Sequence, residues 1–144
     1  QRKVKFSYPI LWGLSFWGIL HMAGGGVRVS GEVLYALKLI PIWVSNDFFI
    51  LKYDQFVHAY LYFVMVFVIY HLANKKFNGK KNWLLVLVVL ASVGIGAFNE
   101  IAEFVAVLAF EQTGVGGYYN TAWDIVFNTL GAVIGALILG FRKK

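Results

Sequence analysis

The chain has 144 residues, 60% of them hydrophobic and 14% charged, with a mean hydropathy of +0.69. That leaves too few polar residues to clothe a water-soluble domain of this size. Aromatic residues at 18% suit a membrane protein with interfacial Trp and Tyr, and the absence of Cys excludes disulfides and thiolate metal sites. The net charge of +6 excludes less, because its meaning depends on where the charges lie.

A transmembrane helix needs about 20 apolar residues. In chain order, four segments meet or approach that length: 8–25, 54–73, 83–110 and 121–141. They predict an all-α, polytopic membrane helix bundle with four transmembrane helices in one domain, 1–144. Between the first and second, "VLYALKLIPIWV" at 33–44 is too short to cross and holds Lys38 and Pro41, so it reads as a short interfacial or re-entrant helix. The opening residue is Gln1 and not Met, which predicts sequence ahead of it. "PILWGLSFWGILHM" runs into glycines with no A-x-A site, so no cleavable leader is expected. The loop "GVGGYYNTAWD", 114–124, reads as a glycine hinge with Tyr118, Tyr119 and Trp123 at headgroup level.

Four crossings sort the charges. Ten of the 13 Lys and Arg residues, in "QRKVK", "NKKFNGKKN" and "RKK", fall on one side, and only Arg28, Lys38 and Lys52 on the other. The positive-inside rule makes the basic side cytoplasmic, with both termini and the loop at Gly79 inside and Asp47 and Gly116 outside. The localisation expected is the inner (plasma) membrane. The basicity therefore reflects topology and attraction to anionic lipid, and no nucleic-acid partner is expected.

The acids go the other way. Glu32, Asp47, Asp54, Glu100, Glu103, Glu111 and Asp124 all lie on the outer side or in the outer half of a helix. Asp54 and His58 are i, i+4, as are Asp124 and Asn128, and as are Asn99 and Glu103, with Glu100 one step round. Residues three and four apart share a face. At 1.5 Å per residue, Glu100 lies roughly 15 Å below its helix end and Asn128 roughly 10 Å below its own. His21 sits near the same end of the first segment. Ser92-x3-Gly96 and Gly131-x3-Gly135 are small-residue stripes that let helices approach closely.

Structural roles compete at each position. Thr121-x-x-Asp124 fits a capping box, Asp54 suits a first turn, His21 could bond a carbonyl, and Asn128 could link helices. Glu100 and Glu103 are far from any cap, and an ionisable group within a span costs ~2.5–3.5 kcal/mol. They stand as catalytic candidates with His58. Asp54, Asn99, Asp124, Asn128 and His21 are binding candidates. Carboxylates with imidazole suit a divalent metal ion, here through His58, Glu100, Glu103 and Asp124.

The order D-x3-H (Asp54, His58), E-x2-E (Glu100, Glu103) and D-x3-N-x2-G (Asp124, Asn128, Gly131) resembles the VanZ-like membrane proteins and, more nearly, the YjdF-like bacterial inner-membrane proteins. The likeness covers roughly residues 50–140. It implies a cell-envelope membrane protein, and the VanZ side implies a link to envelope glycopeptide resistance without an established reaction. Three function classes fit these residues. One is a metal-dependent hydrolase or transferase acting on a lipid-linked substrate. Another is a non-catalytic membrane subunit with a structural polar cluster. The third is a proton- or cation-coupled transporter, for which four helices are few without oligomerisation. Membrane lipids are the expected partners, with an oligomer or partner subunit left open.

Overall fold

The computed structural model describes residues 5–44, 49–110 and 117–142. Asp47, Glu111, Gly114, Gly116 and the terminal Arg2, Lys3, Lys143 and Lys144 lie outside the described residues. The chain is mostly helical: α1 (Tyr8–Gly26), α2 (Tyr53–Ala73), α3 (Lys81–Ala109) and α4 (Tyr118–Phe141). Each matches a predicted segment to within a few residues.

Two expectations need correction. Among the described residues, only α2, α3 and α4 are long and apolar enough to cross a membrane, so four transmembrane helices are not established. In α1 the apolar residues are diluted by Pro9, five glycines and His21. The expected helix at 33–44 is not one. Leu34–Ala36 form a single 3₁₀ turn and Lys38–Val44 form strand β3, paired antiparallel with β4 (Phe49–Lys52). Pro41 cannot continue a helix and is tolerated in a two-stranded edge. A second small sheet joins β1 (Arg28–Val29) to β2 (Glu32–Val33) through Ser30 and Gly31, at φ 53° and 91°. Positive φ at both central residues is the backbone of a primed hairpin turn, and glycine makes it cheap.

The helix ends are tied in two groups. At the basic end, Lys81 Nζ donates to the carbonyls of Gly140 and Arg142, both at 3.0 Å, and Phe6 packs on His71. At the acidic end, Tyr53 donates to the Leu20 carbonyl at 2.9 Å and Asn120 bonds Asp54. The interior divides the same way. Tyr62, Val66, Leu84, Val88, Ala132, Ala136 and Leu139 form the apolar core toward the basic end. On α3 the buried residues are Leu84, Val88, Ser92, Gly96 and Glu100, one every fourth position, so a single stripe runs from apolar to charged. The outer face of that helix carries Leu90, Phe98, Phe104 and Leu108, all well exposed. Polar inside and apolar outside is the arrangement a bilayer favours.

The tightest packing lies between α2 and α4. A Cβ on Gly131 would overlap the Ala59 carbonyl, and one on Gly135 would come within 2.9 Å of the Phe63 carbonyl. A Cβ on Gly96 would meet Tyr62 and Asn128. The stripes thus serve the close approach their spacing suggests. Gly131→Ala should lower thermal stability in detergent by about 1–3 kcal/mol. Gly94, with open space around it, should accept the same change. Equal melting temperatures for the two variants would contradict this packing.

Candidate functional site

The polar groups come from α2, α3 and α4 and meet around His58. Its Nδ1 lies 3.0 Å from Asn128 Oδ1 and 3.6 Å from Glu100 Oε1, and its Nε2 lies 3.6 Å from Asp54 Oδ1. Both i, i+4 pairs expected on α2 and α4 therefore point into the bundle. The Gly131 contact, one turn below Asn128, holds the helices close enough for a direct imidazole–amide bond.

Burial is deep. Asp124 is 0% exposed, Asn128 1% and Glu100 5%. Four buried polar atoms here have no hydrogen-bond partner among the described residues: both carboxylate oxygens of Glu100, Asp124 Oδ1 and Asn128 Nδ2. Buried polar atoms almost always find partners, so four orphans in one cluster call for an explanation. Donor atoms of Asp54, His58 and Asp124 lie within 4.8 Å of one another, and so do those of His58, Glu100 and Glu103. The two triads share the imidazole. All four residues expected to hold a metal fall in them, and Asp54 joins the set.

Asn128 decides how the two triads differ. If Nδ1–H donates to Asn128 Oδ1, the lone pair of Nε2 is free on the Asp54 side. A hydrogen bond on one ring nitrogen that frees the other is the usual way a ligating histidine is oriented. The Asp54–His58–Asp124 group then has the better-prepared nitrogen, and Glu100 faces the protonated edge.

Glu103 is less buried than Glu100 and accepts from Asn99 Nδ2 at 2.8 Å. Asn99 itself is exposed, so this pair forms the outer edge of the cluster. His21 is not brought to the cluster by any hydrogen bond among the described residues. Trp17 stacks on its ring, and the Tyr35 hydroxyl sits 2.5 Å from its Nδ1 and 3.1 Å from its carbonyl. Burial, assisted by the Asp54 carboxylate, pushes the Tyr35 phenol above its ordinary range, so it remains a neutral donor.

The sequence reading missed Asn120. Its Nδ2 donates to Asp54 Oδ2 at 3.0 Å and to Asp124 Oδ2 at 2.6 Å, bridging α2 and α4. Its i, i+4 relation to Asp124 was a usable signal, hidden by taking 114–124 as a loop. Because α4 starts at Tyr118, that loop is helical from Tyr118 onward and Asp124 lies in the second turn. The capping-box explanation of Asp124 therefore fails.

The chain belongs to the family described as "Predicted membrane protein (DUF2238)", whose model matches residues 1–144. No curated protein and no solved structure matches the chain. Together with the three candidate spans, the family makes this a membrane protein at the level the sequence predicted, without specifying the VanZ-like or YjdF-like kinship.

Removing the Asn120 amide leaves Asp54 and Asp124 facing each other without their shared donor. Asn120→Ala should cost about 1–3 kcal/mol of stability. Adding Asp124→Asn should recover part of the loss, since its amide can donate to Asp54. Thermal unfolding of both variants checks this; a wild-type melting point for Asn120→Ala would refute the bridge.

Proposed function

We propose that the chain is an inner-membrane enzyme that binds a divalent cation and acts on a lipid-linked envelope substrate from the outer side. The observation that carries this is three buried carboxylate oxygens without a hydrogen-bond partner among the described residues: both of Glu100, which is 5% exposed, and Oδ1 of Asp124. Such groups are stable in low dielectric when a cation or a proton compensates them. Asp54, His58 and Asp124 supply a mixed oxygen and nitrogen set suited to Mn²⁺, Zn²⁺ or a similar ion. When bound, the ion polarises an ester or phosphoryl oxygen or lowers the pKa of a water. Glu100 and Glu103, on the Nδ1 side of His58, accept and return the proton. Asn99 and Glu103 at the exposed edge give a route by which a lipid headgroup reaches the cluster from the bilayer.

This reading includes the finer kinship to VanZ-like and YjdF-like proteins, supported by the three motifs at Asp54, Glu100 and Asp124. It also includes the orientation. The basic end bearing Lys75, Lys76, Lys80 and Lys81 is cytoplasmic, with both termini, and the acidic end faces out.

A second reading has its own observation. Asn120 bridging Asp54 and Asp124, with His58 between Asn128 and two carboxylates, is what a structural clasp would look like. There the imidazolium compensates the acids and no reaction occurs.

Three measurements separate these readings. Purified protein should carry one equivalent of divalent metal per chain, lost on His58→Gln or Asp124→Asn but kept on Glu100→Gln. Metal at background in wild type, with no thermal shift on adding Mn²⁺ or Zn²⁺, would leave the clasp. Incubation with envelope lipid extract should alter a lipid species by mass spectrometry for wild type and not for Glu100→Gln; unchanged profiles would remove the enzyme. Because the chain has no Cys, Asn78→Cys and Ser30→Cys give clean topology probes. Impermeant maleimide should label position 30 from outside and position 78 only after lysis, and the reverse pattern would invert the orientation.

A further inference from the structure

A cavity remote from the acids lies between α1 and α2 and reaches the C-terminal end of α4. Its volume is about 720 Å³, within the ~300–1,000 Å³ typical of ligand pockets. Its walls are divided by chemistry. Along its length run Trp12, Phe16, Phe63 and Phe67. Phe16 closes edge-on against Tyr60, with ring centroids 5.5 Å apart. Trp12 is 74% exposed, so this side opens laterally where lipid would lie. At the basic end the lining changes to Lys75, Lys81 and Arg142, with His71 beside them, and no Asp or Glu among the described residues lines the cavity.

The geometry points to a binding site for an anionic phospholipid, with an acyl chain along the aromatic wall and the phosphate headgroup against Lys75 and Arg142. Charge complementarity selects this occupant. A soluble anion would leave the aromatic wall exposed, and a neutral lipid would leave three cations without a counterion at the mouth. The cations also have distinct tasks. Lys81 is already committed to the Gly140 and Arg142 carbonyls. The Arg142 guanidinium lies 6.0 Å from the Phe67 ring centroid, so it borders both the apolar wall and the headgroup position. Lys75 has no such commitment among the described residues and supplies the second contact. Phe6 packs on His71 with centroids 5.3 Å apart, which places the segment entering α1 at the same mouth.

The site is independent of the metal reading, since it shares no residue with the acidic cluster. Full-length protein is reconstituted in nanodiscs of equal phosphatidylglycerol and phosphatidylcholine, released into mild detergent and examined by native mass spectrometry. Wild type should retain phosphatidylglycerol over phosphatidylcholine. The double variant Lys75→Gln, Arg142→Gln should lower that preference on the order of tenfold. The variant Lys5→Gln, Lys80→Gln removes the same charge from residues that do not line the cavity and should keep the preference. Equal retention of the two lipids by wild type would overturn the proposal without reference to any variant. So would an equal loss in both double variants, which would mean general surface charge. Displacement of phosphatidylglycerol by soluble glycerophosphate would also overturn it, because the site would then hold a free anion and not a lipid.

Discussion

The close contact of α2 and α4 is the constraint on which the rest of the molecule depends. Gly131 lets the Ala59 carbonyl sit where a side chain would otherwise stand. That approach sets the imidazole of His58 at hydrogen-bonding distance from Asn128, one turn away, and allows Asn120 to span Asp54 and Asp124. Helices in lipid gain little from burying apolar surface against one another, so close backbone packing and interhelical hydrogen bonds must supply the association. Here both are concentrated on the same pair of helices, and α3 then adds Glu100 from the next position of its own buried stripe.

The same arrangement makes the two ends of the bundle chemically opposite. Toward the basic end the interior is apolar and the cations lie at the mouth of an aromatic groove or hold helix termini. Toward the acidic end the interior is charged and the aromatic residues Trp17, Tyr35 and Tyr53 surround His21 and the start of α2. A helix as long as α3, 29 residues or roughly 43 Å, exceeds a ~30 Å hydrocarbon core, so its ends reach into the interfaces where such contrasts are tolerated. The small sheets β1–β2 and β3–β4 occupy the acidic end, where backbone groups can find water or one another.

Much of this was legible in the sequence because helical periodicity and hydropathy are local. The four helices, the small-residue stripes and the D-x3-H, E-x2-E and D-x3-N faces all follow from spacing alone. Other features depended on competition the spacing does not show. At 33–44 the hydropathy suited an interfacial helix, but Pro41 and a pairing partner at Phe49–Lys52 favoured a strand. Near 118–124 the glycines suggested a loop, but the helix began at Tyr118 and brought Asn120 into register. For α1, length sufficed and hydropathy did not.

By itself, then, the sequence determined which residues are apolar, where each long helix lies to within a turn and which face of each carries the polar groups, since these depend on neighbours within a turn or two. Only the tertiary structure decided that His58 stands between two carboxylate groups, that Asn128 meets its Nδ1, and that His21 is claimed by Tyr35 instead. Those outcomes rest on contacts between elements, His58 with α3 and α4 and His21 with the 3₁₀ turn. The Gly131 contact with the Ala59 carbonyl fixes the α2–α4 part of them, and no local pattern encodes which partner that glycine will meet.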